Sequence, residues 1–291
     1  MTSERFVVTL LGTGSPTPLI DRFGPSILIQ AGRDNLLFDC GRGASQRLLQ
    51  LGVRFSTVSR LFLTHLHSDH VVGIPDVWLT GWIRARVDPF RVWGPAGTAD
   101  MMTHLRKAFQ FDISVRLADE GLPEQGIAVE AVDVQQGLVY DENGVSITAF
   151  DVDHGPVRPA LGYRIDFDGR SVVLSGDTRF SENLIAHSQG VHLLIHEVLV
   201  PDAFYARVKA FLSPEAAKKV FDHHTTPAEC GEIFGRVRPK LAVYSHIVSG
   251  PGGDKELVDK TREAYDGVFV VGQDLMSFEI GDGVKVLPPS D

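Results

Sequence analysis

The sequence predicts an α/β fold, and three observations support that prediction. Short apolar runs typical of buried strands alternate along the chain with stretches of helical character. Several of these runs end directly in a histidine or an aspartate, and strand ends are where α/β proteins usually carry reactive groups. The 291 residues are 43% hydrophobic, which is enough to bury a large core. No linker, charge block or low-complexity tract divides them, so we expect a single domain over residues 1–291.

The predicted elements follow one another in a regular order. Apolar runs predict strands at residues 6–11, 26–29, 36–39, 60–63, 145–152 and 191–196. Helical patterns predict helices at residues 44–51, 76–84, 98–109 and 227–235. The last helix has the clearest start, because Thr226 is a typical N-cap residue and Pro227 is favoured at the first helical position.

Residues 64–70, Thr-His-Leu-His-Ser-Asp-His, give the strongest functional indication in the chain. His65 and His67 are two apart, so in an extended segment their side chains point the same way. Asp69 and His70 follow at once, where a turn can bring them to a second metal position. Imidazole and carboxylate groups are ligands that suit zinc. The alternative is that these are histidines gathered by chance at the surface or hydrogen-bonded in the core. That alternative poorly explains four ligand-type side chains in so short a segment.

The motif resembles the His-x-His-x-Asp-His signature of the metallo-β-lactamase superfamily, and further candidates follow in that family's order. His154, Asp177 and His246 each stand at the end of an apolar, strand-like run. The resemblance implies a metallo-β-lactamase-like four-layer αββα sandwich that holds two Zn2+ per chain. It assigns the ligands as follows: His65, His67 and His154 to one zinc, Asp69, His70 and His246 to the other, and Asp177 to both.

Shorter segments resemble the ribonuclease Z and arylsulfatase-like branch of that superfamily. Residues 11–16, Leu-Gly-Thr-Gly-Ser-Pro, resemble the opening of those proteins, and residues 37–41, Leu-Phe-Asp-Cys-Gly, resemble the strand that ends in their first motif aspartate. Residues 195–197 and 224–226 resemble the two segments whose Glu and His assist the departure of the leaving group. The resemblance therefore implies a catalytic pair of Glu197 and His224. Helix capping in this region is compatible with that role, because Thr226 would cap the helix and leave His224 facing the cleft.

Two departures from ribonuclease Z affect the expected substrate. Arg42 stands where that enzyme has a Glu, and residues 155–176 leave no room for the long basic arm with which the bacterial enzyme grips tRNA. The formal net charge of −9 also disfavours a protein that binds phosphate backbones. We therefore expect a small-molecule ester as the substrate, nucleic acid being disfavoured. The alternative is tRNA 3′ processing by a ribonuclease Z, and a further alternative is a lactonase or other carboxylic ester hydrolase.

The expected reaction is hydrolysis of a phosphodiester or sulfate ester by a hydroxide that the two zinc ions share. In this scheme Asp69 orients the nucleophile and accepts its proton, and His224, held by Glu197, donates a proton to the leaving oxygen. Di-iron proteins of the same fold form a second functional class, but they carry Glu where this chain has His67, and they have an attached flavin domain. A metal-free scaffold is a third class, and the complete ligand set argues against it.

Three residues are candidates for contact with the substrate. Trp78 and Trp82 lie four apart and share a helix face, so they form either core packing or an aromatic wall for an apolar leaving group. Arg158 follows His154 in a Gly/Pro-rich loop, where it is either an anion-binding residue or a solvated surface residue. The apolar residues of segment 201–221 fit either a flap over the site or ordinary packing.

The remaining features concern the cellular setting. No stretch of the sequence is apolar and long enough to span a bilayer, and the N-terminus lacks the apolar segment of a secretory signal. The two cysteines, Cys40 and Cys230, are expected to be reduced thiols used in packing. These observations predict a cytoplasmic protein without a membrane partner. The branch is often dimeric, so the resemblance adds a homodimer as an expectation.

Overall fold

The computed structural model describes residues 4–250 and 252–287. The strands of this part are β1 (Phe6–Gly12), β2 (Ser26–Ala31), β3 (Asp34–Phe38), β4 (Val58–Phe62), β5 (Phe90–Gly94), β6 (Val129–Asp133), β7 (Gly137–Glu142), β8 (Val145–His154), β9 (Val157–Phe167), β10 (Arg170–Leu174), β11 (Leu193–Leu199), β12 (Leu241–Val248), β13 (Phe269–Val271), β14 (Ser277–Ile280) and β15 (Val284–Leu287). The helices are α1 (Ala44–Gln50), α2 (Ser68–Val71), α3 (Ile74–Ile83), α4 (Thr98–Ala108), α5 (Gln110–Asp119), α6 (Glu124–Ile127), α7 (Glu182–His187), α8 (Pro201–Val208), α9 (Pro214–Phe221), α10 (Pro227–Val237) and α11 (Gly253–Arg262). A short 3-10 helix, Phe55–Thr57, precedes β4.

The strands form two mixed sheets that pack face to face. Sheet one has the order β15-β14-β1-β2-β3-β4-β5-β6, and sheet two has the order β13-β12-β11-β10-β9-β8-β7. Three large groups of buried apolar side chains fill the interfaces between the layers. One group lies between the sheets, one lies between sheet one and helices such as α1 and α3, and one lies between sheet two and helices such as α7 and α10. The predicted αββα sandwich is therefore confirmed.

Strand β1 shows why the buried strands were recognisable as apolar runs. Every residue of β1 is buried, because one face of sheet one packs on sheet two and the other packs on helices. Val8 and Leu10 point into the core between the sheets, whereas Leu11 belongs to the layer between sheet one and its helices. A strand with two covered faces needs apolar side chains at successive positions, so its sequence lacks polar alternation.

Parallel pairing brings the polar ends of several strands to one edge of the sandwich. In sheet one, β3 and β4 are parallel, and in sheet two, β10, β11 and β12 are parallel. His65 lies in the loop after β4, and Asp177 lies in the loop after β10. His154 is the last residue of β8, and His246 lies near the end of β12. The carboxyl ends of these strands therefore supply the side chains of the site.

The observed elements agree with the predicted ones at the buried positions. The predicted strands match β1 to β4, β8 and β11, and the predicted helices match α1, α3, α4 and α10 with ends that differ by up to three residues. The structure adds strands that the pattern does not predict, such as β6, which is half-exposed at the edge of sheet one.

Between His154 and Asp177 the chain forms only the β8–β9 hairpin and β10, as expected for a protein without an arm. No helix in the described part of the chain is both long and apolar enough to cross a membrane.

The two ends of the described chain meet in sheet one. Strand β1 pairs with β14, and β14 pairs in turn with β15. A second link joins the same regions, because the N–H and the hydroxyl of Thr13 both donate to Asp274 Oδ1, at 2.9 and 2.8 Å. These contacts support our proposal that residues 1–291 form one domain.

Candidate metal centre

The structure brings all seven predicted ligands together in two adjoining clusters. The first comprises His65, His67, His154 and Asp177, and the second comprises Asp69, His70 and His246. Within each cluster the potential ligand atoms lie within 4.8 Å of one another. All of these side chains are buried except that of His67, which is exposed.

The carboxylate of Asp177 lies between the two clusters. Its Oδ2 is 3.9 Å from the Nε2 atoms of both His65 and His154, which belong to the first cluster. The same oxygen is 3.4 Å from Nε2 of His70 and 3.3 Å from Nε2 of His246, which belong to the second. One oxygen thus faces four imidazoles from two directions, which is the arrangement that a group shared by two cations requires.

Unpartnered polar atoms provide a test of whether these residues fit metal ions. Among the described residues, Nε2 of His65 and of His70 and Oδ1 of Asp177 are buried without any hydrogen-bond partner. A buried polar atom left unpaired costs about 1–3 kcal/mol, so such atoms seldom collect around one point without a ligand there. Imidazole nitrogen and carboxylate oxygen are the donor types that suit zinc and other first-row metals. The residues therefore fit metal ions.

The electrostatics of the first cluster favour the protonation states that bind metals. Burial lowers the pKa values of His65, His67 and His154, so these imidazoles are neutral near pH 7. Burial alone would raise the pKa of Asp177, but the adjacent His246 and His70 outweigh it and hold that pKa well below its usual range. Neutral imidazoles and an ionised carboxylate are the forms that coordinate metals. In the second cluster burial would lower the pKa of His70, but Asp177 and Asp39 outweigh it and raise that pKa, so His70 must release a proton to coordinate a metal.

Local backbone geometry explains how neighbouring residues reach both clusters. His67 is extended and directly precedes α2, so His70 in that helix turns away from His67 toward the second cluster. His246 has a φ of 46°, in the left-handed region that a residue other than glycine rarely adopts. The register between β11 and β12 shifts at the same place. This irregularity directs the His246 side chain toward Asp69, whose Oδ2 lies 3.3 Å from His246 Nε2.

A layer of hydrogen bonds around the clusters fixes the orientation of the imidazoles. Nδ1 of His70 donates to Oδ2 of Asp39 at 2.8 Å, and Nδ1 of His65 lies 3.0 Å from the hydroxyl of Thr64. Nδ1 of His154 donates to the carbonyl of His223 at 3.0 Å. In each case the contact at Nδ1 leaves Nε2 facing the cluster, as is usual for metal-binding histidines.

Asp39 is a functional residue whose role the sequence analysis did not assign. One of its oxygens accepts from the Thr64 N–H at 2.9 Å, and the other accepts from the Thr64 hydroxyl at 2.9 Å as well as from His70. Its φ of 53° turns the carboxylate back over the loop that carries the metal motif. The resemblance of residues 37–41 to a family motif marked this aspartate, but its partners Thr64 and His70 lie 25 and 31 residues later in the chain, so the contacts could not be predicted from the sequence.

Glu197 and His224 form a pair at the edge of the two clusters. Nδ1 of His224 lies 3.1 Å from Oε2 of Glu197, and Oε1 of Glu197 accepts from the N–H groups of Thr178 and Thr225 at 3.2 and 3.0 Å. Burial would lower the pKa of His224, but the charge and hydrogen bond of Glu197 outweigh it and raise that pKa to about 9. His224 is therefore a protonated imidazole near pH 7.

The position of His224 also allows a different role. A ring nitrogen of His224 lies within 4.8 Å of ligand atoms of Asp177 and His246, so these three side chains could hold a metal ion themselves. Helix capping is left to Thr226, which forms a capping box with Glu229 at the start of α10. The capping assignment made from the sequence is therefore confirmed, and His224 is free to face the clusters.

The structure corrects one predicted set of substrate contacts. Trp78 and Trp82 are both 0% exposed and pack in the layer between sheet one and its helices, where Trp82 Nε1 donates to the Pro123 carbonyl at 2.9 Å. They do not line the site, because the helix face that they share is the one that packs on the sheet. Arg158 is 76% exposed near the site and donates to the Gly155 carbonyl at 3.1 Å.

Other predicted features outside the clusters are also placed. Segment 201–221 forms α8 and α9, whose apolar side chains pack in a small core with Leu199 and Val248. Cys40 and Cys230 are both buried and free, as expected for thiols used in packing.

Relatives of known identity resemble this chain over almost its whole length. Residues 6–224 match the model of the family described as Anti-Pycsar protein Apyc1. The ribonuclease Z of Mycolicibacterium gilvum is 36% identical over 286 residues, which cover 97% of this chain and 98% of that protein. The ribonuclease Z of Mycobacterium bovis is 36% identical over 278 residues, which cover 94% of this chain and 98% of that protein.

Solved structures share the architecture at lower sequence identity. The metallo-β-lactamase fold protein YhfI from Bacillus subtilis has a TM-score of 0.72 at 19% identity and covers 95% of this chain and 100% of its own. The short form of human tRNase Z has a TM-score of 0.69 at 20% identity, with 94% and 99% covered. A diphosphatase of the PhnP family has a TM-score of 0.66 at 19% identity, with 97% and 100% covered.

The fold is that of the metallo-β-lactamase proteins. The relatives named ribonuclease Z show that the chain belongs to the hydrolytic enzymes of that fold, a class that typically binds metal ions. Within that superfamily the chain belongs to the branch of the ribonuclease Z proteins and to the family of Anti-Pycsar protein Apyc1.

The contacts of Asp39 lead to a prediction about stability. In Asp39→Asn an amide NH2 replaces one acceptor, so a donor from Thr64 or His70 loses its partner inside the protein. The free energy of unfolding of metal-free protein should fall by roughly 1–3 kcal/mol, measured by urea denaturation after chelation. Asp166→Asn is the control, because Asp166 pairs with Arg164 at the surface and should contribute less than about 1 kcal/mol. Equal losses in the two variants would show that Asp39 does not organise the loop.

Proposed function

We propose that the chain is a phosphodiesterase that uses two zinc ions. His65, His67 and His154 would hold one ion, Asp69, His70 and His246 would hold the other, and Asp177 would reach both. The observation that carries this proposal is the position of Asp177 Oδ2, which is within 4 Å of imidazoles from both clusters. The unpartnered buried nitrogens of His65 and His70 support it, because they need a partner that the chain does not supply.

For the substrate, we favour RNA over the small ester that the sequence alone suggested. The relatives named ribonuclease Z support this choice, since they resemble the chain from end to end. The missing arm does not oppose it, because an alignment covering 97% of this chain and 98% of the relative leaves little room for a long inserted arm in that relative. The specific activity proposed is therefore endonucleolytic processing of tRNA 3′ ends, as in a ribonuclease Z. Nothing in the structure or the relatives supports a sulfate ester or a lactone.

A small phosphodiester is the second candidate, and two observations favour it. Between His154 and Asp177 the chain forms only the β8–β9 hairpin and β10, with no inserted arm to grip tRNA, and the formal net charge of −9 disfavours binding of a polyanion. The fold shared with a diphosphatase of the PhnP family is compatible with this candidate.

The chain's own residues supply two proton-handling groups. Zinc ions held by these seven side chains would lower the pKa of bound water toward neutrality and so supply a nucleophile. Burial would raise the pKa of Asp69, but its hydrogen bond with His246 and the charge of His70 lower it, so Asp69 is a carboxylate that can orient water and accept a proton. His224 carries a proton near pH 7 and is held toward the clusters by Glu197, so it can donate to the leaving oxygen.

The metal assignment predicts a measurable stoichiometry. Elemental analysis of the purified protein should find two zinc ions per chain, and Asp177→Ala should lower both the zinc content and the turnover, because the carboxylate shared by the two ions is lost. Asp166→Ala, at a surface ion pair, should keep both. Full zinc content in Asp177→Ala would refute the bridging role, and two irons or no metal would refute zinc.

The His224 assignment predicts a dependence on the leaving group. His224→Ala should lose roughly 10²–10⁴-fold in kcat/KM on a poor alkoxide leaving group and much less on nitrophenolate, which leaves without a proton. The zinc content should remain, and His104→Ala, an exposed histidine, should behave like the wild type. Equal losses for every leaving group, or loss of zinc, would mean that His224 binds metal or positions the site.

The same assignment predicts a pH profile. Because the pKa of His224 in the folded protein is raised to about 9, the imidazole is protonated near pH 7 and loses its proton as the pH rises through about 9. Activity on a poor leaving group should therefore fall on the alkaline side, and Glu197→Gln should move that fall to lower pH. An alkaline limb that stays in place in Glu197→Gln would contradict the pairing.

The two candidate substrates are separated by direct comparison. The zinc-loaded enzyme should cleave a precursor tRNA at its 3′ end with a kcat/KM that exceeds the value for bis(4-nitrophenyl) phosphate, and binding should weaken as salt rises. Turnover of bis(4-nitrophenyl) phosphate without cleavage of the precursor would reject the ribonuclease and establish the small phosphodiester. A protein that hydrolyses neither compound would be no phosphodiesterase.

A further inference from the structure

Two side chains with N–H groups, Arg179 and His223, lie at the mouth of the metal centre. Burial and the adjacent His224 lower the pKa of His223, so its ring is a neutral hydrogen-bonding group and Arg179 carries the charge. His67 is the exposed member of the predicted ligand set, so a substrate reaches the clusters from its side. The His223 ring lies 6.0 Å from that of His154, which in turn contacts His67 at 3.3 Å between ring nitrogens. Arg179 lies two residues after Asp177. The backbone N–H of Arg179 donates at 2.8 Å to the carbonyl of Asp153, the residue that precedes His154.

The turn at Gly155 is the feature that brings these two side chains together. Gly155 has a φ of 62°, and a Cβ added there would lie 3.1 Å from Nε2 of His223 and 3.2 Å from Nη2 of Arg179. Because both nitrogens lie within 3.2 Å of that Cβ position, they are no more than about 6 Å apart, a separation that two oxygens of one phosphate group can span. Any larger residue at 155 would occupy that position and would also be strained at this φ.

The arginine is held in place, yet part of it is free to bind. Its Nε donates to the Asp222 carbonyl, and its Nη1 lies 3.4 Å from Oδ2 of Asp153. Among the described residues, neither Nη2 of Arg179 nor the ring of His223 has a hydrogen-bond partner. A guanidinium fixed on one side with donors open on the other loses little freedom when it binds an anion.

The local charge differs from that of the whole chain. The formal net charge is −9, but the nearby carboxylates are already paired: Asp153 lies between Arg179 and Arg158, and Asp222 pairs with Lys218 at 2.7 Å. Asp153 therefore contacts Nη1 of Arg179 but also shares its charge with Arg158, and Nη2 of Arg179 keeps no carboxylate partner among the described residues.

We propose that Nη2 of Arg179 and Nε2 of His223 form a subsite for a second phosphate group, next to the phosphodiester that is cleaved. The subsite would select substrates that carry phosphates in series, as polynucleotides do, over an isolated phosphodiester. The proposal rests on the phosphodiesterase function proposed above. It concerns substrate binding alone, because both side chains lie outside the two clusters.

The test compares two substrates that differ by one phosphate. Thymidine 5′-(4-nitrophenyl phosphate) and the same compound with a 3′-phosphate share one scissile bond and one leaving group. The wild type should prefer the 3′-phosphorylated compound in kcat/KM. In Arg179→Gln that preference should fall about tenfold through KM, the size expected for one charge-assisted hydrogen bond. Arg179→Lys should retain part of the preference, and Gly155→Ala, which displaces both side chains, should lose it.

Arg236→Gln is the matched control. Arg236 has the same 41% side-chain exposure as Arg179, but it pairs with Glu182 away from the site, so its loss should leave the preference at the wild-type value. A wild type that shows no preference, or an Arg179→Gln variant with the preference of Arg236→Gln, would overturn the proposal.

A binding measurement keeps the subsite testable if the protein hydrolyses neither compound. Hydrolysis of neither compound would count against the phosphodiesterase function, and the subsite would then be judged by calorimetry with thymidine 3′,5′-bisphosphate. The Kd should rise about tenfold in Arg179→Gln relative to the wild type and to Arg236→Gln. Equal Kd values in all three proteins would overturn the subsite independently of the activity.

Discussion

The buried carboxylate of Asp177 is the constraint on which the rest of the site depends. Removing a carboxylate from water is costly unless opposite charge or hydrogen-bond donors replace the lost solvent. Here imidazoles approach one of its oxygens from both sheets: His65 and His70 come from loops of sheet one, and His246 comes from sheet two. These distances require a fixed position of one sheet relative to the other, and the core packed between the sheets maintains that position.

The contacts between the sheets near the site show how that position is held. The hydroxyl of Tyr163 in β9 donates to the Leu63 carbonyl at 2.7 Å, and the Leu161 N–H donates to the Thr64 carbonyl at 2.8 Å. Both acceptors lie in the segment that immediately precedes His65. Phe62, one residue earlier, stacks on Trp93 with a centroid distance of 4.7 Å and meets Tyr163 edge to face. Aromatic packing and these hydrogen bonds together fix the distance between the two sheets next to the candidate metal ligands.

Sequence information was sufficient for features that depend on local pattern. The spacing within residues 64–70 indicated a metal site, and the resemblance to the metallo-β-lactamase superfamily added His154, Asp177 and His246. These residues follow or end strands whose carboxyl ends meet at one edge, and the structure brings the side chains together there. The helix face shared by Trp78 and Trp82 could be predicted, but periodicity does not say which surface that face will contact, and it contacts the core.

Other contacts join segments far apart in the chain and appear only once the fold is known. They are the hydrogen bond of Asp39 with His70 and the packing of Gly155 against Arg179 and His223. The substrate class is equally absent from local pattern, because one fold and one ligand set serve several hydrolytic reactions.

The pairing of β1 with β14 has a consequence for synthesis on the ribosome. Strand β1 pairs on one side with β14, whose residues are translated more than 250 residues later. Until then β1 presents an open edge with unpaired N–H and C=O groups, and such edges promote association between chains. The centre is also incomplete until His246 has been made. Nascent chains therefore pass through an interval with an open sheet edge and a partial set of metal-binding side chains, in which association between chains competes with folding.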